Sequence, residues 1–419
     1  MSGPARAGGE GAATVVKESR RACIVGVGQT DYVKRGGSAE SEYRLALRSI
    51  MAAVAEAGLT VAEVDGLSTF SDERSGQWTL AGDLGLRALR FATTTAIPGG
   101  GGAASAVAEA ALAVESGLAD VVVVYRSLCQ GQFARIGRAL APDRVLDTPP
   151  ALTEAALETE ALQAFTAPFG VLGPSIMFAL PMRRHMERWG TTTEHLGQVA
   201  VSVRAHAARN PRALMGGRPL SLADHQASRL VADPYRLFDC CLETDGACAV
   251  VVTSAERAAD LPNRPVAVLA SAQGTDGPQL GAAMLNAGST ADAYDTGGGR
   301  SVAGQLYARA GLGPGDVDVA QLYDNFSGQV LFGLEDFGLC ERGASGPFVA
   351  AGALDLGGAM PTNTAGGNLS EAYMQGLNHV IEGVHQMRGD STSQVEGAEV
   401  CLVTSSPGIP TSAILLGRS

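Results

Sequence analysis

The chain repeats itself, and a repeat of this kind leaves few folds open. Gly58-Leu59, three residues, then Glu63-Val64-Asp65 leads into the apolar Gly66–Phe70; Gly311-Leu312, three residues, then Asp316-Val317-Asp318 leads into Val319–Tyr323. Before each lies a stretch with apolar residues at three- and four-residue intervals, Glu40–Ala57 and Ser301–Ala310. That spacing predicts two helices, each closed by a glycine cap at Gly58 or Gly311. The echo continues: Gly99–Gly102 opens a helix-patterned run to Ser116 followed by a strand at Asp120–Tyr125, and Gly366–Gly367 opens one to Met387 followed by a strand at Glu399–Thr404. Strands Ala22–Val27 and Val266–Ala272 begin the two parts. Continuous apolar strands such as Val121–Val124 and Val250–Val252 alternate with helices, which is the pattern of an α/β fold with buried sheets. The expected architecture is two pseudo-symmetric βαβ-rich halves, residues 22–264 and 265–419, after a disordered lead over residues 1–21. Residues 127–234 form a long, Pro-punctuated segment inside the first half, with helix-like pieces at Ser175–Trp189 and Thr193–Ala208. A segment of that length is usually functional, so it is expected to shape a substrate site.

A chain of 419 residues with 46% hydrophobic and 18% charged residues buries a large core without a metal or disulfide staple. Its net charge of −12 and lack of any dense Lys/Arg block exclude the basic footprint of a nucleic-acid binder. The apolar stretches are short and interrupted by glycine, so no bilayer span is expected. Ser2 to Arg21 lacks the apolar core of a signal peptide, which points to a cytoplasmic protein. Seven cysteines are scattered without metal-ligand spacing, and the vicinal Cys240-Cys241 is a poor framework for zinc or a disulfide. Buried, reduced thiols and no bound metal are expected.

The glycine-rich helix starts occupy equivalent places in the two halves. Helix N-termini present unpaired N–H groups that stabilise an oxyanion, and the same glycines also permit close helix crossing; both readings stand. Polar clusters follow the second-half strand, Tyr323-Asp324-Asn325-Phe326-Ser327, and surround the glycine pair, from Thr362 to Tyr373. On composition alone the tyrosines read as structural. His379 and His385, six apart, do not share a helix face and read as structural or surface histidines. Asp239, Glu243 and Asp245 are expected to mark a turn before a strand at Ala247–Thr253. Neither a GxSxG elbow nor a dinucleotide fingerprint is present.

With Asp245-Gly246-Ala247, Asn210-Pro211 after His206, Tyr323–Ser327, Asn363–Tyr373 and the trailing Glu382, Gln386, Met387, Arg388 and Gly389, the chain from Ala22 to Gly417 resembles the thiolase superfamily. Within it, the chain is similar to the lipid-transfer-protein branch related to sterol-carrier-protein thiolases. The resemblance implies the thiolase fold, layered α/β/α/β/α. The departures are informative. The family's nucleophilic cysteine stands seventeen residues ahead of the glycine matched by Gly117, which here is Gly100. The histidine of its Gly-His-Pro motif is replaced by Tyr373, and a polar residue of its Asn-Glu-Ala-Phe or His-Asp-Cys-Phe motif by Tyr323. Its second cysteine falls at Thr404 or Ser405, with Cys401 a turn too early.

Loss of both cysteines and the histidine removes the covalent route to Claisen chemistry. What the resemblance then implies is an aldolase of the kind that shortens steroid side chains. Such an enzyme cleaves a β-hydroxyacyl-CoA to a ketosteroid and a short acyl-CoA such as propionyl-CoA. A retro-aldol step needs a base for the hydroxyl, stabilisation of the enolate and protonation of its carbon. Tyr323 and Tyr373 are the candidate catalytic residues, and Asn325, Gly366, Gly367 and His379 the candidates for holding substrate or oxyanion. CoA enters as substrate and no cofactor is expected. The implied partners are a second copy and a DUF35-class OB-fold protein, often fused to a MaoC-type hydratase, in an α2β2 complex. Any zinc would belong to that partner. The competing reading is a non-catalytic lipid or acyl-CoA carrier, and a further one is a degenerate thiolase scaffold whose activity depends on a partner.

Overall fold

A computed structural model describes residues 20–95, 99–132, 167–171, 173–276, 296, 298–405 and 411–419. The expected lead, apart from Arg20 and Arg21, and much of the expected loop segment lie outside the described residues. The strands in chain order are β1 (Ala22–Gln29), β2 (Val33–Lys34), β3 (Gly66–Phe70), β4 (Phe91–Thr95), β5 (Val121–Cys129), β6 (Leu230–Ala232), β7 (Tyr235–Arg236), β8 (Thr244–Ser254), β9 (Val266–Gly274), β10 (Val319–Gln321), β11 (Val400–Thr404) and β12 (Thr411–Arg418). Apart from the β6–β7 ribbon they join in one sheet of ten, ordered β10-β11-β12-β9-β1-β8-β5-β3-β4, with β2 paired to β8.

The repeat read from the sequence is written in the strand order. β3-β5-β8-β1 and β10-β11-β12-β9 each pair parallel, antiparallel and antiparallel in turn. Among the described residues the two sets pair only where Cys23 faces Ala267 and Ile24 faces Val266. The predicted glycine caps are present: Gly58 and Gly311 have φ of 73° and 67°, the left-handed region that ends a helix without a Cβ penalty. Their helices, Glu42–Glu56 and Arg300–Ala310, cover the outer faces of the two halves.

Between the halves lie two helices, Ala103–Ser116 and Leu377–Arg388. Each touches the other and strands of both halves, so one apolar core joins Val122, Val250, Ala106, Val380, Val403 and Ile414. Both faces of β5 and β8 are therefore covered, which is why nearly every residue of these valine-rich strands is buried. Half of the first central helix is alanine, small enough to lie between two sheet surfaces. The result is the layered thiolase fold.

Two expected boundaries move. β5 runs on to Cys129, past the Ser127 expected to open the loop segment, because its ladder with β8 continues to Cys129 opposite Asp245 and the Ser127 N–H donates to Glu73. The helical run expected from Gly366–Gly367 is broken after one π-helical turn. The chain makes a wide turn at Gly367–Glu371, passes extended through Ala372, and begins its helix at Leu377 after Gly376. The Asp324 carboxylate caps that first turn by accepting the N–H groups of Asn368 and Leu369, and the helix does not run on because the Tyr373 N–H donates to Thr244 Oγ1 and the Ser370 and Glu371 carbonyls accept from Met215 and Leu214. Helices Pro174–Trp189 and Thr193–Ala207 match the two expected in the loop segment. No helix among the described residues is long and apolar enough to cross a membrane.

Candidate active site

Tyr323 lies two residues beyond β10, at the carboxyl end of a buried strand, where open α/β sheets place ligands. Its N–H donates to Thr404 Oγ1 at 3.1 Å, at the end of the neighbouring β11. Tyr373 lies in the extended segment ahead of the second central helix, and its N–H donates to Thr244 Oγ1 on β8 at 3.0 Å. Two anchors in different halves therefore set the phenols. Tyr323 Oη donates to Tyr373 Oη at 3.2 Å, and both rings are buried.

Gly100 explains how this pair fits. A Cβ built on Gly100 would overlap Oη, Cζ and Cε2 of Tyr323, so the phenol fills the space into which a side chain at Gly100 would point. The positions matched to the second thiolase cysteine have also become hydrogen-bond partners. Thr404 holds Tyr323, and Ser405 Oγ accepts the Ala104 N–H at the start of the first central helix, at 2.9 Å. Cys401 is buried within β11.

Beside the phenols opens a cleft of about 620 Å³, in the range of small-molecule sites. Tyr373 lines it, together with Asn325, Gln375, Cys240 and Cys241, while Tyr323 sits behind Tyr373. Arg35, Arg74, Arg204 and Arg229 bring positive charge to its walls. Much of the rest comes from residues between Pro174 and Glu243, which places the long inserted segment over the site.

The other expected contacts are spent elsewhere. The Gly366 N–H donates to Asn363 O at 2.9 Å, and its carbonyl accepts from Ser370 and Glu371. With a φ of 111°, Gly366 shapes the turn and has no N–H to offer a thioester, and neither it nor Gly367 lines the cleft. His379 Nε2 donates to Asp324 Oδ1 at 3.0 Å within the protein interior, away from the cleft. Its role here is to brace Asp324, which in turn holds the glycine turn. His385 bonds Asp390 at the surface. Asp239 and Asp245 do more than mark a turn. Asp239 accepts from His225 and Ser327, and Asp245 from the N–H groups of Gly36, Ser38 and Gly131.

The electrostatics favour neutral groups. Burial first, and then the Tyr373 neighbour, push the Tyr323 phenol well above its ordinary value. Burial also raises Tyr373, with Cys241 adding to the shift, while hydrogen bonds from Tyr323 and the Gln375 side chain partly oppose it. Burial raises the Cys241 thiol well above its ordinary range, so this cysteine faces the cleft without thiolate character. Burial brings Glu371 to about 8, although Asn378 and Asn210 donate to its carboxylate.

Sequence reasoning missed Gln375, Cys241 and Glu371. A signal for Gln375 existed: it follows Tyr373 by the same two residues that separate Asn325 from Tyr323. The vicinal thiols, expected in the core, are half-buried at the cleft because the chain returns there from the inserted segment to β8.

Residues 284–416 match the family described as Thiolase C-terminal domain-like. Over 399 residues the chain is 42% identical to 17-hydroxy-3-oxo-4-pregnene-20-carboxyl-CoA lyase of Mycobacterium tuberculosis, covering 95% of this chain and 100% of that one. It is 40% identical to the steroid side-chain-cleaving aldolase of Thermomonospora curvata, covering 94% of this chain and 97% of the other. Its structure superposes on the Ltp2-ChsH2(DUF35) aldolase with a TM-score of 0.85 at 38% identity, over 96% of this chain and 98% of that one. A backbone shared along almost its whole length with these proteins places the chain in the thiolase superfamily, in the branch of lyases and aldolases that cleave steroid side chains.

Proposed function

We propose that this enzyme, a carbon–carbon lyase of the aldolase type, cleaves the side chain of a steroid β-hydroxyacyl-CoA by handing protons through Tyr323 and Tyr373. The observation that carries the reading is the direct bond between the two phenols in the space beside Gly100. Because burial keeps both phenols protonated, the pair works as a neutral relay. One phenol oxygen takes the β-hydroxyl proton while passing its own to the other, and the second phenol gives a proton to the α-carbon. The Cα–Cβ bond breaks, its electrons going to the α-carbon as the hydroxyl oxygen becomes a ketone. The products are a ketosteroid and a short acyl-CoA such as propionyl-CoA. No acyl-enzyme is required, in keeping with Gly100 and the protonated Cys241.

Tyr373 meets the substrate at the cleft and Tyr323 from the Gly100 side. The arginines along the cleft suit the phosphates of the CoA thioester. Residues 22–264 and 265–419 act as the two halves of the scaffold, and the segment over 127–234 shapes the steroid site. The enzyme is a homodimer in the cytoplasm, joined by a DUF35-class protein fused to a MaoC-type hydratase in an α2β2 complex. Support comes from the likeness to an aldolase whose name includes a DUF35 component, and from chemistry: hydration of an enoyl thioester makes the β-hydroxyacyl substrate.

The test is to incubate the purified protein, alone and with a co-expressed DUF35 partner, with a steroid β-hydroxyacyl-CoA bearing a tertiary hydroxyl. Mass spectrometry is expected to show equal amounts of ketosteroid and short acyl-CoA. Binding without turnover in both preparations would leave the carrier reading in its place. Light scattering on the co-expressed sample reads the assembly.

A further inference from the structure

Each phenol is followed two residues later by a carboxamide, Asn325 after Tyr323 and Gln375 after Tyr373. Both amides line the cleft and both are more than nine-tenths buried, at 8% and 6% exposure. In each, the carbonyl oxygen has no hydrogen-bond partner: Asn325 Oδ1 and Gln375 Oε1 are buried acceptors facing nothing in the protein. Gln375 uses its N–H group on the Tyr373 phenol oxygen, which turns its own oxygen to the other side of the amide. Its backbone has a φ of 50°, a left-handed conformation rare outside glycine, and such local strain concentrates at ligand sites. Buried acceptors without partners are uncommon, and two on one wall of one cleft call for a ligand that supplies donors.

We infer that the carbonyl oxygens of Asn325 and Gln375 form an acceptor wall that makes the enzyme select thioesters bearing a β-hydroxyl over the dehydrated α,β-unsaturated thioesters. The inference rests on the aldolase reading above and adds the basis of its selectivity. The two thioesters differ by one water molecule, and a hydroxyl is the only hydrogen-bond donor that the difference creates. When the hydroxylated form docks against Tyr373, its O–H bonds the adjacent Gln375 oxygen in the resting complex and turns to a phenol oxygen when the proton is passed on. The unsaturated form brings no donor and leaves the same acceptors unpaired. A site built to bond a hydroxyl discriminates strongly against an analogue lacking it, because its own buried polar groups are left unpaired. The selectivity has a use. In a sequence that hydrates an enoyl thioester and then cleaves the product, the cleaving enzyme meets both forms, and the wall keeps the unreacted one from occupying the cleft.

The experiment compares two constants on the full chain, in complex with its partner if the two co-purify. These are KM for a hydroxylated steroid thioester and the inhibition constant for the matching α,β-unsaturated thioester. In the wild type the inhibition constant is expected to exceed KM by about 10-fold or more. In Gln375→Met, and separately in Asn325→Ala, the ratio is expected to fall toward one, with KM rising more than kcat falls. Thermal melts identify a variant that has lost its fold, and the other variant then decides the question. A ratio unchanged in a folded variant of both positions, or a wild type that binds the two forms equally, overturns the inference while leaving the cleavage intact. A wild type that cleaves nothing sinks the aldolase reading itself.

Discussion

Tyr323 Oη and Tyr373 Oη are hydrogen-bonded at 3.2 Å, Tyr323 donating, although their backbones are tied to different halves of the molecule. The direction of that bond leaves the Tyr373 proton free to point into the cleft. Tyr323→Phe and Tyr373→Phe are therefore each expected to lower kcat for thioester cleavage by about 100-fold or more. Only Tyr373→Phe, at the cleft wall, is expected to raise KM as well. Release of short acyl-CoA measured against substrate concentration checks both, and wild-type kinetics in the two variants would falsify the relay.

Returning the thiolase nucleophile is expected to fail. In Gly100→Cys the new side chain collides with the Tyr323 phenol, so the variant loses roughly 1–3 kcal/mol or more of stability and gains no thiolysis activity. Pairing Gly100→Ala with Tyr323→Leu is expected to recover much of the stability lost by Gly100→Ala alone. Denaturant melts on the four members of that cycle report the coupling.

Stability is expected to fall as pH rises from about 5 to 8, in part through Glu371. Burial raises this carboxyl to about 8, so the folded state holds its proton more tightly than the unfolded chain does. The stabilisation is complete below the unfolded value near 4.5 and is lost as pH climbs through 8. Asp336, raised by burial to about 7, adds to the same trend. Glu371→Gln should flatten the dependence of Tm on pH without abolishing it, and an unaltered slope would count against the assignment.

The cleft cysteine is expected to be dispensable. Burial suppresses the Cys241 thiolate, so Cys241→Ala keeps most of the cleavage rate and the wild type resists alkylation by iodoacetamide at neutral pH. Rapid labelling of Cys241 with parallel loss of activity would restore a sulfur chemistry to the site.

Removing Asp239 should be costly to stability. Its carboxylate joins His225 of the inserted segment to Ser327 of the second half, all three buried. Asp239→Ala orphans both partners at about 1–3 kcal/mol each. A drop in the denaturation midpoint is the expected readout.

Much of this could be read from the residues because the signals were local. Gly58 and Gly311 cap equivalent helices, and the valine run of β5 and β8 announces strands covered on both faces. The phenols were legible only through likeness to a family, by counting from Gly117 back to Gly100 and from the glycine pair on to Tyr373. Two of the misreadings share a cause, which is the part played by a distant segment. The helical turn after Gly366 stops at Glu371 because Thr244, 129 residues before Tyr373, takes the Tyr373 N–H. The N–H of Gly366 is instead taken close by, by the carbonyl of Asn363 three residues earlier. Cys241 is at the cleft only because the inserted segment delivers it there.

The seam between β1 and β9 is two residue pairs wide, whereas the central helices each seal hydrophobic surface belonging to the opposite half. A gene cut near residue 265 would therefore release two pieces with matching topology and open flanks, each missing the helix that closes it. The duplicated halves have become obligate complements, and they are expected to melt in a single transition.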